Sequence, residues 1–284
     1  MDNAALRDDM VDGLEYSLGR PLGERTLDAM RSVPRHEFVS AGPYQNRTGE
    51  EAGSRVLAPV VVARLLSALQ PEPGDDVLVV GAGVGYTVGA LAEIVGARHV
   101  HAVDIDRELV YMARSNLDDA GYGAAFVDCR DGARGFPEYA PYDRILMEAA
   151  AVEAPQALLD QLTPDGRLVM PRGTGSQSLV SIGSPEDTDV AAESDGGMSG
   201  LTGDSHSGSE SEPTQPTDQS TTRNSYQQLD THGPVQFRPL LVEGERNKGP
   251  ARNRTVREDA EIEEQGHFAD AGWEQEWIDW DDQL

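Results

Sequence analysis

The chain has 284 residues, enough for one sizeable α/β domain with additions. Its 50 acidic residues against 23 basic ones give a net charge of −27, and Lys248 is the only lysine. A field of that sign repels phosphate backbones and argues against nucleic acid as a partner.

Residues 4–32 read as helical, with Leu6, Met10, Leu14 and Leu18 at four-residue spacing and a second segment, carrying Leu27 and Met30, after Pro21-Leu22-Gly23. PVVVARLLSAL (59–69) reads as a helix with Pro59 in its first turn. Strands and helices then alternate. VLVV (77–80) is an apolar run of the kind buried on both faces, TVGALAEIVG (87–96) a helix closed by Gly96, HVHAVDI (99–105) a strand and ELVYMARSNLDDAG (108–121) a helix. AAFVDC (124–129), RILMEA (144–149) and RLVMP (167–171) read as strands, with a helix at EAPQALLDQL (153–162). This alternation predicts an α/β fold with a doubly wound, mostly parallel sheet.

Residues 184–222 are rich in Ser, Thr, Gly, Asp, Glu and Pro and hold too little apolar surface to offset their ordering entropy, which predicts a disordered loop. It separates SLVSI (178–182) from PVQFRPLLV (234–242), read together as a terminal β-hairpin with an inflated connection. In the acidic tail, Trp273, Trp277 and Trp280 at i, i+4, i+7 mark one face of a helix, expected to dock on the chain's own domain, with partner binding as the other reading.

The acidic, lysine-poor composition suits concentrated salt, where a screening length of about 3 Å at 1 M mutes self-repulsion. The plainer account places the acid in disordered segments, although the folded part is acidic too. Cys129 is the single cysteine, which rules out an intrachain disulfide and favours a cytoplasmic setting. MDNAALRDDM lacks the pattern of an export signal, and no apolar run reaches membrane-spanning length. A soluble monomer without a membrane partner is the expectation.

Gly81, Gly83 and Gly85 form G-x-G-x-G between a strand and a helix, where glycine lets the backbone turn sharply and approach a ligand. By itself this is a tight βα turn. A dinucleotide fingerprint needs glycine or alanine where Tyr86 stands, so nicotinamide and flavin nucleotides are disfavoured. Asp104 ends the second strand, placed to bind a ribose diol, and Asp131 follows the third, placed to reach an adenine amino group. With their neighbours Ala82, Ile105 and Gly132, these residues surround one crevice and resemble the S-adenosyl-L-methionine site of class I methyltransferases. Asp106 reads better as a solvated carboxylate or helix cap. The fourth strand runs into LMEAAA (146–151), without the Asn/Asp-Pro-Pro-aromatic motif of enzymes that methylate bases. No cluster has metal-ligand spacing, so no metal is expected.

Four stretches, LDAMRSVPRHEFV (27–39), the glycine loop with Tyr86, DGARGFPEYAPYDRIL (131–146) and EAPQALLDQLTPDGRLVMP (153–171), resemble protein-L-isoaspartate O-methyltransferases, as does QFRPL (236–240). The resemblance covers most of 4–182 plus 234–242. It implies the seven-stranded Rossmann-like sheet of class I methyltransferases, S-adenosyl-L-methionine as cofactor, and isoaspartyl carboxylates in damaged proteins or peptides as methyl acceptors, whose esters collapse to succinimides. Together with the composition, it divides the chain into a helical segment and substrate-side loop (1–70), a cofactor-binding core (71–183), an acidic disordered insertion (184–233), a terminal strand (234–243) and the Trp-bearing tail (244–284).

The substrate-side segment of that family reads Gly-x-Thr-x-Ser-x-Pro. Here Gly53-Ser54-Arg55-Val56-Leu57-Ala58-Pro59 keeps the glycine and proline but has Arg55 for the threonine and Leu57 for the serine, and Glu148 stands where the family often has threonine. Arg55 is placed either to grip a carboxylate or to pair with Glu50 or Glu51. Leu57 suits core packing. Ser54, one residue early, would substitute for a family hydroxyl after a register shift. Glu148 would contact substrate or a backbone amide. His36 reads as a capping or surface residue. These departures keep two alternatives open: a same-fold methyltransferase retuned to another carboxylate or hydroxyl, and a non-catalytic S-adenosylmethionine-binding interaction protein.

Overall fold

The computed structural model describes residues 2–184 and 226–241. The N-terminal helical stretch breaks at its glycines into α1 (Asn3–Asp12), α2 (Leu14–Leu18) and α3 (Glu24–Ser32). Asp2 caps α1 by accepting from the Ala4 N–H, and Gly19, at φ +66°, ends α2. Residues 49–56, part of the expected substrate-side loop, form a hairpin. β1 (Gly49–Glu51) pairs antiparallel with β2 (Ser54–Val56), and the two turn residues, Ala52 and Gly53, both have positive φ, as a tight hairpin turn requires. α4 (Pro59–Leu69) has the expected bounds.

Seven strands make the main sheet: β3 (Val77–Val80), β4 (Val100–Asp104), β5 (Phe126–Cys129), β6 (Tyr142–Met147), β7 (Leu162–Arg172), β8 (Gln177–Gly183) and β9 (Gln227–Val235), in the order β5-β4-β3-β6-β7-β8-β9. The first five are mutually parallel, with α5 (Tyr86–Val95) and α6 (Arg107–Asp119) among the connections, and β7, β8 and β9 follow as an antiparallel meander. Side chains alternate across β3. Val77 and Val79 enter the core cluster that includes α4 and α5, while Leu78 and Val80 enter a second cluster with Phe136, Ile145 and Leu168 on the other face. Strand order reverses between β3 and β6, which opens a crevice at their carboxyl ends.

Two expectations are corrected. The helix at 153–162 shrinks to α7 (Gln156–Leu159), because Leu162 is recruited into β7 opposite Tyr142. The last strand is Gln227–Val235, not 234–242, so residues 227–233 belong to the sheet rather than to the insertion. β9 is an edge strand without a buried position, so it has no apolar pattern to read. The apolar run after it caps the sheet instead. Arg238 and Leu240 exchange backbone hydrogen bonds with Ala150 at 2.8 Å, burying Phe237 and Leu240. Residues 185–225 and the tail with Trp273, Trp277 and Trp280 lie outside the described residues. Among the described residues no helix is long and apolar enough to cross a membrane, and no group of His, Cys, Asp and Glu would hold a metal.

Candidate active site

The turn after β3 is built from glycine conformations. Gly81, Gly83 and Gly85 have φ of +95°, +52° and +94°. The Gly81 and Ala82 amides donate to the Val103 carbonyl at 2.8 and 3.1 Å, tying the turn to β4. Gly83 donates to Asp104 Oδ2 at 2.9 Å, and the Asp106 amide donates to Oδ1 at 3.0 Å. Each Asp104 oxygen keeps acceptor capacity, so the carboxylate is fixed in orientation but not used up. Burial pushes its pKa up, and the backbone hydrogen bonds pull against that shift. Asp106 is the N-cap of α6, accepting from the Glu108 amide at 2.9 Å, and Ile105 bridges the two aspartates. Past β5, Asp131 Oδ1 accepts from the Ala133 amide at 3.0 Å. Gly132 packs so tightly on β3 that a Cβ there would lie 2.4 Å from Val80 Cγ1.

Tyr86 opens α5 but turns inward, 3 % exposed, edge-on to Phe38. What it leaves toward the crevice is a first-turn amide, a group without an intrahelical partner. Over its ring, 4.2 Å from the centroid, lies the Arg35 guanidinium, itself only 2 % exposed. Arg35 Nη2 donates to the Leu57 carbonyl at 2.6 Å, while its Nε and Nη1 are buried without hydrogen-bond partners. Arg35 stands in VPRHEFV and is not among the expected site residues. The available signal was an arginine just after Pro34, in a short polar stretch (Arg35-His36-Glu37) closed by the apolar Phe38. His36 next to it contacts the Tyr44 hydroxyl at 2.6 Å, away from the crevice.

Glu148 follows β6 beside the glycine turn, its Cβ 3.5 Å from where a Cβ on Gly81 would stand. Its Oε1 is buried without a hydrogen-bond partner. Burial lifts its pKa to about 7; Thr87 and Arg35 oppose the shift and Asp104 adds to it. A carboxyl in that range exchanges its proton near neutrality.

The hairpin meets this crevice through Ser54. A Cβ on Gly83 would lie 3.8 Å from Ser54 Oγ. Alternation along β2 then fixes the rest: Ser54 inward, Arg55 exposed, Val56 buried. Arg55 makes neither ion pair considered for it. Its Nη1 donates to the Gln236 carbonyl at 3.0 Å, and Glu51 is held by Ser40. Leu57 packs against the core, so only its carbonyl is held at the site.

Glycine turn and Asp104 thus meet beside the topological switch point of a Rossmann-like sheet, with Asp131 just past the end of the next strand, β5, the kind of arrangement found in class I methyltransferases. The crevice fits S-adenosyl-L-methionine: Asp104 offers oriented acceptors, and Gly81, Gly83 and Gly85 hold the turn in the left-handed conformations that bring its backbone amides to the crevice. The family model for protein-L-isoaspartate(D-aspartate) O-methyltransferase matches residues 11–198. A protein-L-isoaspartate O-methyltransferase of Aeropyrum pernix is 43 % identical over 182 residues, 61 % of this chain and 69 % of that one. A solved protein-L-isoaspartate O-methyltransferase superposes with a TM-score of 0.56 at 23 % identity, covering 63 % of this chain and 62 % of that one, less than two thirds of its length. A Plasmodium falciparum protein-L-isoaspartate O-methyltransferase in complex with S-adenosyl-L-homocysteine gives a TM-score of 0.56 at 21 % identity, covering 63 % of this chain and 90 % of that one. This chain belongs to the protein-L-isoaspartate(D-aspartate) O-methyltransferase family.

Proposed function

We propose that the chain is an S-adenosylmethionine-dependent O-methyltransferase that esterifies the carboxylate of isoaspartyl residues in damaged proteins and peptides, and so starts their repair. The observation that carries this reading is the meeting of two parts at Gly83: its amide orients Asp104 at 2.9 Å, and Ser54 of the substrate-side hairpin faces it. When bound, the cofactor supplies an electrophilic methyl group.

The chain's own residues have three tasks. Asp104 and Asp131, with Gly81, Gly83, Gly85 and the α5 amides, would hold the cofactor's polar groups. Ser54 would orient the acceptor carboxylate or its adjacent amide, in the role that the family gives to hydroxyls at positions 55 and 57. The acceptor is ionised near neutral pH, so it needs alignment and exclusion of water, not a general base. Glu148 would favour its approach while protonated and repel it once ionised, which its pKa near 7 allows within the working range.

Arg55 faces outward, so it is not placed to grip the reacting carboxylate. That removes one danger, an over-tight ground state that would slow attack. Charge argues against nucleic acid, and the lone thiol supports a reducing cytoplasm. The activity is tested by base-labile methyl label appearing on an isoaspartyl peptide incubated with the protein and labelled S-adenosylmethionine.

A further inference from the structure

Beside the hairpin lies an open cleft of about 620 Å³, lined among others by Glu50, Arg55, Thr174, Gln177, Gln236 and Arg238. Two arginines stitch its walls together. Arg55 Nη1 donates to the Gln236 carbonyl at 3.0 Å, and Arg238 Nη1 donates to the Gly53 carbonyl at 2.9 Å. A guanidinium has five N–H donors, so each keeps donors to spare. Neither arginine has a carboxylate partner among the described residues. Glu50 sits opposite Arg55 in the strand pair without forming an ion pair, and it is the only carboxylate of the lining. In a chain of net charge −27, this cleft is locally positive.

The cleft is on the wrong side of β2 for the reacting group. Ser54 faces Gly83, and side chains one residue apart in a strand point to opposite faces, so Arg55 addresses what lies across the strand. A substrate chain extends about 3.3 Å per residue on either side of its reacting residue. One or two residues along, it crosses the strand and reaches the two guanidinium groups.

We propose that Arg55 and Arg238 make this cleft a subsite for acidic residues flanking the isoaspartate, so that the enzyme selects damage in acidic sequence. The inference rests on the isoaspartyl reading above. It turns the loss of the family threonine at position 55 into a gain of sequence preference.

The test uses the full chain and three isoaspartyl peptides that differ only in their flanking residues, Asp, Ser or Lys. At 0.1 M salt the Asp-flanked peptide is expected to show a KM about fivefold below that of the Lys-flanked one, with kcat similar, the size expected of exposed charge pairs. At 1 M salt, where the screening length drops to about 3 Å, the gap closes. Arg238→Gln and Arg55→Gln should each shrink the Lys-to-Asp KM ratio toward one. Each protein serves as its own control, so a partly unfolded variant does not mimic the result. Equal KM for all three peptides in the wild type, or a ratio unmoved by both variants, overturns the subsite while leaving the methyltransferase reading intact. No methylation of any isoaspartyl peptide overturns that reading, and the subsite with it.

Discussion

Arg35 Nη2 lies 2.6 Å from the Leu57 carbonyl oxygen, with the same guanidinium stacked over Tyr86, so one buried cation joins the substrate-side segment to the helix that follows the glycine turn. Arg35→Met is expected to cost little net stability. An unpaired Leu57 carbonyl loses about 1–3 kcal/mol, but removing a buried, half-satisfied charge offsets part of it. The kinetic effect should be larger: kcat/KM down at least about tenfold, cofactor affinity within about twofold, and partial recovery in Arg35→Lys. Wild-type kinetics in Arg35→Met would show that the Leu57 anchor is dispensable.

Gly132 has no room for a side chain. Gly132→Ala brings a Cβ to 2.4 Å from Val80 Cγ1 and should destabilise the fold by about 1–3 kcal/mol, displacing Asp131 as it does so. Gly23→Ala, with nothing within 4 Å and φ −67°, is the matched control and should stay within about 0.5 kcal/mol. Chemical denaturation of both variants decides the point.

Asp104→Asn retains an acceptor for the Gly83 amide but removes the charge and one acceptor oxygen. Calorimetric titration with S-adenosylmethionine should give a Kd raised about 10- to 100-fold, since a buried group that can no longer pair its ligand loses about 1–3 kcal/mol. Undiminished affinity would remove Asp104 from the binding site.

Glu148 gives a pH dependence whose sign is fixed. Its folded pKa, about 7, lies above the ordinary 4.5, so the folded state holds the proton more tightly. The associated stability is complete below about pH 4.5 and is lost as pH rises through about 7, with a ceiling of about 3 kcal/mol. Glu148→Gln, neutral throughout, should flatten the melting temperature between pH 5 and 8 and leave the variant more stable than wild type at pH 8. The same substitution should remove any loss of kcat/KM above pH 7. Parallel pH profiles for the two proteins would sink both expectations.

The sheet was legible because its strands are short apolar runs punctuated by glycines, and the turn after β3 because its glycines fall between a strand and a helix. β9 was not, because an exposed edge strand carries no apolar alternation, and its apolar neighbour at 236–240 drew the assignment. The roles of Ser54 and Arg55 depended on strand register. A loop reading leaves both free to face the site, whereas pairing Glu51 with Ser54 commits Ser54 inward and Arg55 outward. Arg35 was hidden because its function lies in two contacts 22 and 51 residues away along the chain, with Leu57 and Tyr86, that no local pattern encodes.

The central claim is that this crevice methylates isoaspartyl carboxylates. The most direct measurement offers methyl-labelled S-adenosylmethionine and two matched peptides, one isoaspartyl and one normal aspartyl, to the full chain in concentrated salt. The account predicts base-labile label on the isoaspartyl peptide alone. Label on neither, from a protein that still binds the cofactor, would contradict it and point to a retuned acceptor.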